Sequence, residues 1–196
     1  MSLLSLLTAC FILLTPTVNG AISNTQDLRE LVNAYVEDHN EHDIDRVMSM
    51  FADTIRYEEE GLQQFEGKAE VRNKELWDKA VNGQLEVYRL QVRGRKVTGT
   101  AVEYSDYYSA AGLESYNFEL IEFEFEGGLI KQIKVVATME SNSDFANALA
   151  GFVVWAASNK ASELENLKEN GMWAYSPATA QYWVSMLREW KSSEGQ

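Results

Sequence analysis

The sequence predicts an α+β fold: a cone-shaped, curved antiparallel sheet wrapped on three N-terminal helices, with a helical extension at the C-terminus. Three observations carry this reading. Apolar residues recur with helical spacing between Leu28 and Val81, the period changes from 3.6 to 2 after Asn82-Gly83, and the helical period returns beyond Glu140.

Leu28, Leu31, Val32, Tyr35, Val36 and His39 fall on one face of a first helix, with Asn24 or Thr25 as its cap. Asp43 opens a second, shorter helix whose buried side is Ile44, Val47, Met48 and Phe51, and Thr54 to Glu59 follows as a strand. Gly67 precedes a third helix with Val71, Trp77, Ala80 and Val81 inward, ended by Asn82-Gly83.

Leu85 to Arg93 and Lys96 to Tyr108 are then joined by the turn Gly94-Arg95, and Glu114 to Glu126 and Leu129 to Glu140 by Gly127-Gly128, as two-residue hairpins require. The result is a meander of four long strands. Strands of this length twist and curl around whatever covers their apolar face. Phe118, Leu120, Phe123, Phe125, Ile133, Val135 and Ala137 supply that face, while Glu122, Glu124 and Glu126 mark the solvated one.

In the tail, Phe145, Leu149, Phe152, Val153 and Ala156 form one stripe, and Leu164 and Leu167 begin another that Asn170-Gly171 stops. Ser176-Pro177 initiates a last helix striped by Ala180, Trp183, Val184, Leu187 and Trp190. Trp155, Trp173, Trp183 and Trp190 give this segment large areas to bury, so it is expected to pack on the cone or on a partner.

Composition narrows the function classes. The 196 residues carry 17 Lys and Arg against 30 Asp and Glu, a formal charge of −13 that repels nucleic acid and anionic lipid alike. Residues 1–20 contain no charge and an apolar core, Leu3 to Leu14, too short to span a bilayer, so they read as a signal peptide cleaved before Ala21. Leu7-Thr8-Ala9-Cys10 also matches a lipobox, leaving a lipid anchor at Cys10 as the second route; either makes the mature chain secreted or periplasmic with no stable transmembrane segment. The domain division is then leader 1–20, cone 21–140 and helical extension 141–196.

The order of elements, Tyr35-Val36-x-x-x-Asn40-x-x-Asp43 leading to Met50-Phe51-Ala52-Asp53, and Phe65-Glu66-Gly67-Lys68 at the third helix resemble the SnoaL-like and ketosteroid-isomerase-like members of the nuclear-transport-factor-2-like superfamily. The resemblance covers about residues 25 to 140 and implies one small-molecule pocket. In ketosteroid isomerase a tyrosine and a protonated aspartic acid hydrogen-bond a developing enolate while a second carboxylate moves the proton. The resemblance puts Tyr35 at the tyrosine and Glu59 at the general base. It leaves Ile121 where the protonated acid should stand, with Glu119, one pleat away, sharing its direction, and Phe123 in the aromatic pair.

The implied catalytic residues are thus Tyr35 and Glu59, and the implied pocket adds Phe51, Trp77, Glu119, Ile121 and Phe123. The chemistry would be proton transfer next to a carbonyl of an apolar, ring-containing small molecule, with no organic cofactor. His39 and His42 lie among Asp38, Glu41, Asp43 and Asp45, but no remote ligand completes a metal site, and the segment reads as a helix end and cap. Tyr104, Tyr107, Tyr108 and Tyr116 gather at the second hairpin, as a pocket rim or as cross-strand pairs. The missing acid at Ile121 motivates the alternative, a non-catalytic ligand-binding or dimerising domain with a filled chamber and a homodimer through the sheet face or C-terminal helices.

Overall fold

The computed structural model describes residues 25–169 and 172–194. The leader with its apolar core and Cys10, and the Asn24 cap, lie outside the described residues.

Helix α1 (Thr25–Asn40) buries Leu28, Val32, Tyr35 and His39 on one stripe. Helix α2 (Ile44–Ser49) begins at Asp43, whose side chain accepts from the Arg46 amide at 3.1 Å. Phe51, expected on the buried side of that helix, is instead the first residue of β1 (Phe51–Glu59). The helix stops two residues earlier, where the Met50 amide turns back to the Val47 carbonyl, so a strand delivers the buried ring. A short edge strand, β2 (Gln63–Glu66), which the sequence pattern did not reveal, folds back on β1 with Tyr57 opposite Phe65.

Helix α3 (Gly67–Ala80) crosses the sheet and turns at Asn82, whose φ of 53° is the left-handed close expected of that residue type. Strands β3 (Gln84–Arg93), β4 (Lys96–Tyr104), β5 (Tyr116–Glu126) and β6 (Leu129–Ala137) form the antiparallel meander, and β1 joins it parallel to β6. The six-stranded sheet runs β2-β1-β6-β5-β4-β3 and curves without closing.

Bulges make the curve. Register shifts fall between Tyr88 and Gln91 on β3 and between Phe118 and Leu120 on β5. At the first, a Cβ on Gly99 would lie 2.5 Å from the Tyr88 carbonyl oxygen, so only glycine lets the bent strand pass. β4 also ends earlier than its pattern suggested: Ser105 caps α4 (Asp106–Ala110), accepting from the Tyr108 amide at 3.2 Å. A local side-chain cap thus outcompetes strand continuation.

The extension consists of α5 (Met139–Asn159), α6 (Ala161–Glu165), a two-stranded hairpin of β7 (Lys168–Glu169) and β8 (Met172–Trp173), and α7 (Pro177–Glu194). It packs on the cone, α7 against α3 and α4 and α5 against β5. Two apolar cores result, one inside the cone and one between α3, α4 and the extension. Among the described residues no helix is long and apolar enough to cross a membrane.

Candidate functional site

The cone encloses a narrow cavity of about 10 Å³, lined by Tyr35, His39, Tyr57, Lys74 and Glu103 on its polar side and by Leu85, Phe118, Ile121, Ile133 and Val135 on its apolar side. That is room for roughly one water molecule. The polar side is dense with ionisable groups, which an apolar core of this size does not need for stability.

Helix α3 supplies Lys74 to this wall and places Glu75 and Asp78 beside it. Val71, Glu75 and Asp78 lie at i, i+4 and i+7, so two carboxylates sit on the stripe that faces the sheet, and both are buried. Glu75 accepts from the Tyr35 hydroxyl at 3.2 Å through one oxygen and bonds His39 Nδ1 at 2.8 Å through the other. Asp78 pairs with Lys74 one turn earlier at 2.6 Å, and the Lys74 ammonium also stands 4.3 Å from the centre of the Tyr57 ring.

These neighbours decide the charges. Burial raises the Glu75 carboxyl, but His39 and Lys74 outweigh it and hold the group below its ordinary value. Burial lowers the His39 imidazole, and the Glu75 carboxylate more than compensates, leaving it raised. Burial likewise opposes the Lys74 ammonium, and Asp78 keeps it well above the usual lysine range. The Tyr35 phenol is raised by burial first and by Glu75 second.

Glu103 differs from all of these. Its β-partners are Leu85 and Tyr116, so it points to the interior face, yet no hydrogen-bond partner reaches its carboxyl among the described residues. Burial, with Asp78 adding to it, pushes its pKa up to about 8. Glu59 lies on the same interior face opposite Val135, is raised by burial, and accepts from Gln63 at 3.1 Å.

Of the residues named from sequence, Tyr35 and Ile121 reach the cavity wall. Phe51 and Phe123 pack behind Tyr35, with ring centroids 5.8 and 5.6 Å from it. Trp77 is not in the chamber: it belongs to the second core, edge-on to Tyr107 and Tyr175. Glu119 is exposed, because the β5 bulge beside it reverses the alternation and sets Phe118, not Glu119, on the face of Ile121. The hydroxyl proton of Tyr35 is committed to Glu75, so the tyrosine is part of an internal relay.

His39 also has the remote carboxylates that the sequence did not show: His39, Glu75 and Asp78 bring ligand-type atoms within 4.8 Å of one another. Their charges are already matched, since Asp78 holds the Lys74 ammonium and Glu75 holds His39 and Tyr35. A metal ion would have to displace Lys74. The tyrosine group resolves into two parts: Tyr107 and Tyr108 ride on α4, Tyr108 stacks on Tyr116 at 5.0 Å, and Tyr104 is exposed.

No family model and no curated protein matches the sequence. Solved structures do match. An epoxide hydrolase/cyclase-like enzyme, SalBIII of pyran-ring formation in the polyether salinomycin, is 21% identical over 59% of this chain and 94% of its own, with a TM-score of 0.53. A candidate ketosteroid isomerase from Kribbella flavida is 19% identical over 60% of this chain and 82% of its own, with a TM-score of 0.51. An LEH-like epoxide hydrolase from M. tuberculosis is 18% identical over 66% and 96%, with a TM-score of 0.50. The cone therefore has the nuclear-transport-factor-2-like, cystatin-like fold.

Proposed function

We propose that the cone is a small-molecule chamber that moves a proton on its ligand, with Glu103 as the group that takes and returns it. The observation that carries this reading is a partnerless interior carboxyl held at about 8, close to neutral working pH. The five apolar wall residues suit an apolar, ring-containing molecule, and a base opposite such a wall suits proton transfer next to a carbonyl. The Tyr35-Glu75-His39 relay and the Lys74-Asp78 pair fix the polar wall, and Glu59 is the second interior acid. Of the structural neighbours, the ketosteroid isomerase candidate is named for this chemistry, and the cyclase-like enzyme for work on another small molecule.

The test is turnover of a panel of cyclic ketones and enones. Glu103→Gln lowers the rate by about 10²-fold or more, and the parent rate rises with pH until Glu103 is ionised, near 8. An unchanged rate, or a pH profile flat through that range, sinks the assignment.

The nearly filled cavity favours one second reading, a non-catalytic binding or dimerising domain. It predicts that no ketone or enone binds and that the chain is a dimer by light scattering.

A further inference from the structure

If the chamber moves a proton as proposed above, and the present inference rests on that reading, its base needs a partner: a donor for the oxygen on which charge gathers. Neither position that the family resemblance offers supplies one. The Tyr35 hydroxyl already donates to Glu75 at 3.2 Å, and Ile121 brings only an aliphatic side chain to the cavity wall.

Tyr57 meets the need from β1. It stands in the sheet between Phe65 of β2 and Ile133 of β6, and like Ile133 it fronts the cavity. The residue is only 6% exposed, yet no acceptor meets its hydroxyl among the described residues. Most buried hydroxyls are hydrogen-bonded, so an unpaired one on a cavity wall is set to serve what enters the cavity.

Lys74 tunes this donor. Its ammonium is held by Asp78 at 2.6 Å and stands 4.3 Å from the centre of the Tyr57 ring, which fixes a positive charge beside the phenol. Burial raises the phenol first, Lys74 opposes that, and Glu59 and then Glu103 add to it, so the hydroxyl keeps its proton and can donate at neutral pH. Tyr57 and Glu103 are thus a partnerless donor and a partnerless acid on the wall of one void. That void has room for roughly one water molecule, about the space a carbonyl oxygen fills.

We propose that Tyr57 is a catalytic hydrogen-bond donor of the chamber, holding the substrate's carbonyl oxygen while Glu103 works on the carbon beside it. Ionised Glu103 takes a proton from that carbon; the C–H pair becomes the carbon–carbon double bond of an enolate, and the carbonyl π pair moves onto the oxygen that Tyr57 holds. Return of the proton from Glu103 to carbon restores the carbonyl and the base. The substrate is therefore an enolisable ketone or enone.

Tyr57→Phe removes the hydroxyl and keeps the ring against Phe65 and Lys74. No hydrogen bond of the fold is lost, so its urea midpoint matches or exceeds that of the parent. On the panel of cyclic ketones and enones kcat falls about 10²-fold and KM changes less than about three-fold, while the rise of rate toward pH 8 keeps its position. A parent that turns a ketone over, with kcat unaltered in Tyr57→Phe, overturns the donor and leaves Glu103 as the base. A second measurement needs no turnover: the carbonyl infrared band of 2-cyclohexenone moves to lower frequency on binding to the parent and stays at its free position with Tyr57→Phe. A band that does not move in the parent, or moves equally in the variant, overturns the donor. A shift that depends on Tyr57 in a protein without turnover keeps the donor and discards the proton-transfer reading.

Discussion

The two cores of this chain are built on opposite rules. The core between α3, α4 and the extension is wholly apolar and rich in aromatic rings, with Trp77, Tyr107, Trp183, Phe152 and Trp190 linked ring to ring and no buried charge in the cluster. The cone core holds Asp38, His39, Glu75 and Asp78 buried, and Glu103 and Lys74 beside its cavity. Buried charge costs several kcal/mol per ion before pairing recovers it, so it persists where something other than stability retains it. One core is held by apolar packing alone, and the other carries buried charge.

The largest expected effect breaks the packed core. Trp183 is fully buried against Tyr107, Phe152, Trp173 and Tyr175, and its indole donates to the Ala174 carbonyl at 3.1 Å. Trp183→Ala costs about 3–5 kcal/mol in denaturant unfolding, at every pH alike, because no titrating group is removed. A loss below about 1 kcal/mol would mean that the extension contributes little to global stability.

The charged core responds to pH instead. Glu103 titrates at about 8 when folded and near 4.5 when unfolded. Between those values the folded chain holds a proton that the unfolded chain has released, so stability falls as pH rises through this window and levels above it. His39 and Glu59, also raised, add slopes of the same sign, whereas the lowered Glu75 acts only as pH falls below its ordinary range. Glu103→Gln removes the largest slope, on the order of 1 kcal/mol per pH unit, and is more stable than the parent at pH 8. Parallel curves for the two proteins between pH 5 and pH 8 count against the raised carboxyl. A residue whose removal stabilises the fold is the kind a function keeps.

The same contrast explains what was legible in the sequence. The packed core was visible because its residues are apolar at helical spacing, as with Ala180, Trp183, Val184 and Leu187. The four meander strands were visible from alternation, except where Ser105 caps α4 and where the bulge beside Glu119 shifts the alternation by one. The charged core was hidden because Lys74, Glu75, Asp78 and Glu103 read as solvent-facing residues. Two signals pointed to them: Glu75 and Asp78 continue the stripe begun by Val71, and Glu103 continues the Val97, Gly99, Ala101 alternation. Tyr35 was found through the family resemblance; that its hydroxyl serves Glu75 depends on a helix 40 residues away.

Glu75→Gln sharpens the comparison from inside the relay. The amide can still accept from Tyr35, but the negative charge beside His39 is gone. Burial then acts on the imidazole unopposed by Glu75, so its pKa drops below the ordinary 6.5, and stability falls by about 2 kcal/mol. An NMR titration of the imidazole C–H signals reads the first effect and chemical unfolding the second. A His39 pKa that stays raised would assign its charge to Asp78 instead.

The smallest expected effect lies on the outer face of the same sheet. Lys134 reaches Glu60 at 2.7 Å and Glu58 at 3.6 Å, contacts as close on paper as those inside. Glu60 is exposed and Lys134 and Glu58 are partly exposed, so water screens the attraction and replaces a lost partner, while the ordered lysine gives up rotamer freedom to hold the geometry. Lys134→Ala therefore melts with the parent, and the two melting curves stay superimposed when salt is raised. A clear loss of stability there, removed by salt, would show that charge on this cone matters on both faces, and the division between an inert outer ladder and a charged interior that governs stability would fail.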